Sequence, residues 1–177
     1  MLPNIVLVGF MGCGKSSVGR RLAGLTGHRF VDTDDLVAQA ADASIPEIFS
    51  GIGEAGFRDL ESAVLRSLDG VCGIVLSTGG GIILRPENCA LLKKAGVVVW
   101  IHADEATLFE RASRSGRRPL LRAEDPRARF HELLLAREPL YRAVADVDVD
   151  SSGLSHDAVA SKILEETAQC ARYQDPE

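Results

Sequence analysis

The chain has 177 residues, 46% of them hydrophobic and 25% charged, with a formal net charge of −5. That length suits one compact domain spanning 1–177, and the composition is that of a folded globular protein rather than a disordered or fibrous one. The negative balance argues against a duplex-binding protein, which needs a broad basic face, so no nucleic-acid partner is expected.

Residues 4–8 form a short β-branched and leucine run that enters glycines, and residues 15–25 then carry helical spacing through Val18, Leu22 and Leu25. The pattern predicts strand, loop, helix. Residues 29–31 read as a second strand and 34–41 as a short helix, and Pro46 suits the first turn of another. Over residues 54–68, Phe57, Leu60, Val64, Leu65 and Leu68 recur at intervals of three and four, which predicts an amphipathic helix. The uninterrupted apolar runs 73–76 and 97–101 suit strands buried on both faces of a parallel sheet, with 86–95 as the crossover helix between them. Helices are expected over 105–112, 126–143 and about 156–171, with a last strand over 145–149. Strands and helices alternating in this way predict a three-layer α/β/α fold with a five-stranded parallel sheet, right-handed crossovers and ligands at the C-terminal ends of the strands. Residues 113–125 are polar, arginine-rich and without apolar periodicity, a long loop of the kind that is commonly a lid or disordered, and the C-terminal tail 172–177 is expected to fray.

Cys13, Cys72, Cys89 and Cys170 show neither metal-ligand spacing nor a disulfide framework and read as reduced thiols. No export signal and no apolar run of about 20 residues is evident, so a cytoplasmic location without a membrane partner is expected.

The segment Gly9-Phe-Met-Gly-Cys-Gly-Lys-Ser16 satisfies the phosphate-loop pattern G-x-x-x-x-G-K-S between a strand and a helix. There the glycines let backbone N–H groups turn around an anion, and the helix N-terminus adds its positive end. Lys15 supplies a mobile charge, and Ser16 offers a hydroxyl to Mg²⁺. Gly12, Cys13, Gly14, Lys15, Ser16 and Ser17 are thus the expected ATP contacts. Asp32-Thr-Asp34 follows the second strand. A kinase with this loop needs one acid near Mg²⁺ and another to align the attacking hydroxyl, but from the residues alone one acid could equally cap the next helix.

Asp32-Thr-Asp34, Phe57-Arg58 with Glu61, Gly79-Gly-Gly81 and Arg118-Pro-Leu-Leu121, in this order behind this loop, resemble the shikimate kinase family from residue 4 to about residue 163. The resemblance implies ATP as co-substrate, Mg²⁺, shikimate as acceptor at its 3-hydroxyl and the sheet order 2-3-1-4-5. It places Asp34 on the substrate hydroxyls and Asp32 near Mg²⁺. It also puts Arg58 and Arg137 on the substrate carboxylate, Glu61 beside Arg58, and the Gly80 N–H on the substrate. Phe49 and Phe57 become apolar walls, and Arg118 reaches the transferring phosphoryl group from the lid. Read without the resemblance, Arg58 and Glu61 form an ordinary surface pair and the two Phe are core. The loop 150–156 lacks the Arg and Pro that family members often carry on the adenine side, so the adenine contacts stay open. Other readings are a kinase of another hydroxylated acid, such as gluconate, and a P-loop nucleotide sensor. A monomer is expected.

Overall fold

A computed structural model of the protein describes residues 2–114 and 124–173, without the side chains of 171–173. Five strands form one sheet: β1 (Ile5–Val8), β2 (Arg29–Asp32), β3 (Ile74–Ser77), β4 (Val97–His102) and β5 (Val147–Asp150). They lie in the order β2-β3-β1-β4-β5, and every neighbouring pair is parallel. The helices are α1 (Lys15–Thr26), α2 (Thr33–Ala41), α3 (Ile45–Ser67), α4 (Pro86–Ala95), α5 (Glu105–Ser113), α6 (Pro126–Val144) and α7 (His156–Tyr173), and a 3-10 turn covers Ile82–Leu84.

β1 and β3 are buried at every position, and only His102 of β4 is partly exposed, as runs covered on both faces require. β1 sits at the centre, with Val6 paired to Leu76 on one side and to Val98 on the other. That register carries Gly9, just beyond β1, to the same edge as Thr78 and His102, so the phosphate loop and the glycine run leave the sheet side by side.

α3 contains a break at Gly53, whose φ of 69° and ψ of −176° are not helical, so the two helices expected around Pro46 and from residue 54 meet there end to end. The first begins with a capping box between Ser44 and Glu47. Two expectations shift. The last strand starts at Val147 and not at residue 145, because Ala145 caps α6 by donating its N–H to the Tyr141 carbonyl. The turn at Ile82–Leu84 carries no periodicity of its own and follows from the hydrogen bonds Ile82 N–H to Gly79 O and Leu84 N–H to Gly81 O. The expected lid, about 113–125, with Arg117 and Arg118, lies mostly outside the described residues. Of its neighbours, Arg114 pairs with Glu110 at 2.5 Å, Arg129 with Glu132 at 3.3 Å, and Arg127 lies over the Phe109 ring, so these three belong to the surface.

Candidate active site

The phosphate loop links β1 to α1, and α1 starts with no side-chain cap, which leaves the N–H groups of its first turn to an anion. Gly12 adopts φ +89°, and a Cβ there would collide with the Leu108 carbonyl of α5, so no other residue fits this turn. Cys13 is buried and contributes packing. Lys15 donates from Nζ to the carbonyls of Gly9 (2.7 Å) and Phe10 (3.2 Å), which hold its charge over the mouth of the loop. Ser16 and Ser17 are exposed in the first turn of α1.

Asp32 has two tasks. Its Oδ1 accepts from the Asp34 N–H at 3.0 Å and so caps α2, while its Oδ2 accepts from the Ser16 hydroxyl at 2.9 Å. Ser77 Oγ, at the end of β3, stands 3.3 Å from Ser16 Oγ. Hard oxygen donors side by side at a phosphate loop fit Mg²⁺, which takes its remaining ligands from phosphate and water. Among the described residues no group of three or more His, Cys, Asp or Glu side chains could hold a metal by itself.

Because Asp32 does the capping, Asp34 is free for another task. Its Oδ1 is buried and has no hydrogen-bond partner. Burial pushes this carboxyl above its ordinary range and Asp32 adds to the effect, against the pull of Lys15 and Arg58. A half-buried acid held ready to accept a proton suits the activation of a hydroxyl.

Arg58 and Glu61 are buried, one turn apart on α3, and joined at 2.5 Å between Nη1 and Oε2; Glu54 takes Nη2 at 3.0 Å. They are therefore not the surface pair that the residues alone suggest. Glu61 Oε1 and Arg58 Nε are left unpartnered within the site. Burial raises the Glu61 carboxyl and Arg58 opposes it. The Arg58 guanidinium faces a burial penalty, but Glu61 and Glu54 outweigh it and keep the charge in place. Phe57, 4% exposed, lies beneath Arg58 and packs on Phe49 with ring centroids 4.5 Å apart. Phe57 belongs to a small buried cluster with Val37, Ile48 and Val64, against which the half-buried Phe49 packs, so Phe57 is a core residue that also touches Arg58.

The glycine run passes between these groups. A Cβ on Gly79 would stand 2.6 Å from Glu61 Oε1 and 2.7 Å from Asp34 Oδ1, and one on Gly81 would collide with the Arg58 guanidinium. Close packing of side chains on backbone is thus the reason for glycine at 79 and 81, while a Cβ on Gly80 would meet only ordinary contacts. Gly79 N–H donates to the buried Thr33 hydroxyl at 2.9 Å. From α6, Arg137, 4% exposed, donates to the Gly80 carbonyl at 3.3 Å, and the Tyr141 hydroxyl donates to the same oxygen. Burial lowers the Arg137 affinity for its proton, and neighbouring Arg58 adds to this.

The structure thus brings together Lys15, Ser16, Asp32, Asp34, Arg58, Glu61, Gly80 and Arg137; Arg118 lies outside the described residues. Sequence reasoning gave no role to Thr33, Ser77 and Tyr141. The available signals were slight: a hydroxyl between two acids, a serine ending a buried strand, and a tyrosine four residues after Arg137 on one helix face.

A site with a phosphate loop, a proton acceptor and two arginines can bind a nucleoside triphosphate beside a hydroxylated carboxylate. Comparison with known proteins agrees. The shikimate kinase family model matches residues 11–168. A shikimate kinase of Thermodesulfovibrio yellowstonii is 45% identical over 93% of this chain and 95% of its own length, and one of Halorhodospira halophila is 47% identical over 92% of each. Among solved structures, shikimate kinase from Acinetobacter baumannii in complex with shikimate superposes with a TM-score of 0.92 at 41% identity, covering 96% of this chain and 94% of that one. A gluconokinase from Sinorhizobium meliloti, at 17% identity and a TM-score of 0.59, shares the fold alone.

Proposed function

The chain belongs to the shikimate kinase family, and from that premise we propose that it transfers the γ-phosphoryl group of ATP to the 3-hydroxyl of shikimate and that its residues divide the work as follows. The loop 9–16 and the first turn of α1, through Gly12, Cys13, Gly14 and Ser17, hold the phosphates of ATP. Lys15 leaves the Gly9 and Phe10 carbonyls to meet the outer phosphates. Ser16 and Asp32 would hold Mg²⁺, which when bound neutralises phosphate charge. Arg58 and Arg137 grip the shikimate carboxylate, Glu61 holds Arg58 in place, and Phe49 and Phe57 border the ring. Asp34 receives the proton of the 3-hydroxyl as that oxygen bonds to Pγ and the bond from Pγ to the ADP oxygen breaks. Arg118 adds charge at the transferring group and, with the rest of the lid, excludes water that would otherwise take the phosphate.

The observation that carries this reading is that two buried arginines, from α3 and α6, meet the same glycine run that passes the unpartnered Asp34 Oδ1. Two cations serve an acid, and a lone buried acceptor serves a hydroxyl. The test is ADP release with shikimate, with gluconate and without acceptor. Release that depends on shikimate alone is expected, and release indifferent to it defeats the reading. We further propose that the enzyme acts as a cytoplasmic monomer. Among the described residues no helix is long and apolar enough to cross a membrane.

A further inference from the structure

Tyr141 is almost wholly buried on α6, one turn after Arg137, with its ring plane 17° from that of Trp100 and the centroids 6.4 Å apart. Phenylalanine would fill the same space, so packing explains the ring and leaves the hydroxyl unexplained. That hydroxyl donates to the Gly80 carbonyl, which Arg137 Nη1 also reaches at 3.3 Å, and it lies within hydrogen-bond reach of the Arg137 guanidinium itself. Two donors from one helical turn therefore converge on a single peptide of the glycine run.

The other peptide of Gly80 is held independently, by Ile82 N–H on the Gly79 carbonyl at 3.2 Å, and Gly79 N–H is held by Thr33. With both flanking peptides fixed, the direction of the Gly80 N–H is fixed too, and among the described residues that N–H has no partner of its own. Arg137 is held in the same way, between the Phe10 ring, 5.8 Å from its Cζ, and the Gly80 carbonyl beside Tyr141. Burial pushes the Tyr141 hydroxyl well above its ordinary range, which favours the protonated, donating form.

We propose that Tyr141 is a positioning residue for the acid half of the substrate: by donating to the Gly80 carbonyl it holds the glycine run and the Arg137 guanidinium in one geometry for the carboxylate. The inference rests on the reading that Arg58, Arg137 and Gly80 receive that acid. Tyr141 makes no hydrogen bond to Lys15 or to the Ser16 and Asp32 pair among the described residues, so its main effect is expected on the acid substrate rather than on the nucleotide.

The test is Tyr141→Phe, which keeps the ring and removes the donor, set beside Arg137→Ala and wild type. Calorimetric titration with shikimate and separately with ATP gives affinities free of turnover. For Tyr141→Phe, shikimate affinity falls about tenfold, the scale of one lost hydrogen bond, while ATP affinity is unchanged. The ratio of kcat/KM for shikimate over its carboxamide, in which the acid is an amide, also shrinks in Tyr141→Phe, as a general loss of fold would not produce. Unchanged shikimate affinity in Tyr141→Phe with a clear loss in Arg137→Ala overturns the inference and leaves the acid site standing. Equal weakening of both substrates with a lowered Tm also overturns it, since Tyr141 then serves the core alone. Unchanged affinity in Arg137→Ala defeats the acid site itself.

Discussion

Replacing Asp34 by Asn separates the chemistry of this site from its stability. Asp34 Oδ1 and Glu61 Oε1 are both buried and unpartnered, and they lie 2.7 and 2.6 Å from the point where a Gly79 Cβ would stand. They are therefore at most about 5 Å apart, where two like charges repel by about 3 kcal/mol at an effective dielectric near 20. Burial of the carboxylate and the neighbouring Asp32 add to this cost, while Lys15 and Arg58 offset part of it, so removing the Asp34 charge is expected to stabilise the free enzyme by about 1 kcal/mol, or about 2–4 °C in Tm. The sign with pH follows from the raised Asp34 carboxyl. Protonation is favoured by folding, so the ionised group lowers stability once pH rises above the ordinary carboxylate value of 3.8, and this cost disappears below it. Scanning calorimetry of both proteins from pH 4 to pH 8 should show Asp34→Asn gaining on wild type as pH rises. In the same variant kcat falls about 10²–10⁴-fold, the scale of a lost general base, with ATP affinity retained. An equal kcat removes the proton-accepting role, and a Tm difference that is negative, or flat with pH, refutes the electrostatic reasoning.

Gly79→Ala drives a methyl group against Asp34 and Glu61; shikimate affinity should drop by more than tenfold in calorimetry while ATP binding stays within twofold, on the scale of a core overpacking cost of about 1–3 kcal/mol. Arg58→Ala leaves Glu61, fully buried, without its partner; denaturant titration should show a loss of about 3–5 kcal/mol, and Arg58→Gln a smaller one. Lys15→Met should abolish measurable ATP binding in equilibrium dialysis without lowering shikimate affinity by more than a few fold, because among the described residues its hydrogen bonds run to the loop's own carbonyls and Cys13. Arg118→Ala should reduce kcat in steady-state assays while leaving the KM for shikimate nearly unchanged, as expected of a contact made to the transferring group alone.

The sheet was readable because buried parallel strands carry continuous apolar runs, and β3 and β4 stand out for that reason. Their order was not readable from periodicity, which contains nothing about which strand lies next to which; it came from the resemblance. The same limit applies to the site. The phosphate loop is local, so eight consecutive residues specify it. The burial of Arg58 and Glu61 is not local: it depends on the glycine run, some twenty residues later, passing over α3 without side chains. Asp32 and Asp34 could not be separated in sequence because capping and metal binding both ask for a carboxylate, and only the geometry, with Asp32 on the Asp34 N–H, divides the roles. Tyr141 hides in an apolar stripe, since nothing in the pattern tells a ring that packs from a hydroxyl that holds a carbonyl.

The central claim is transfer to one hydroxyl of one acid, and the product decides it most directly. Incubation with ATP, Mg²⁺ and shikimate, followed by ³¹P and ¹H NMR of the product, should give a single phosphomonoester coupled to the proton at C3. Phosphate on another hydroxyl, or inorganic phosphate with unchanged shikimate, contradicts the placement of Asp34, Arg58 and Arg137 around the acceptor.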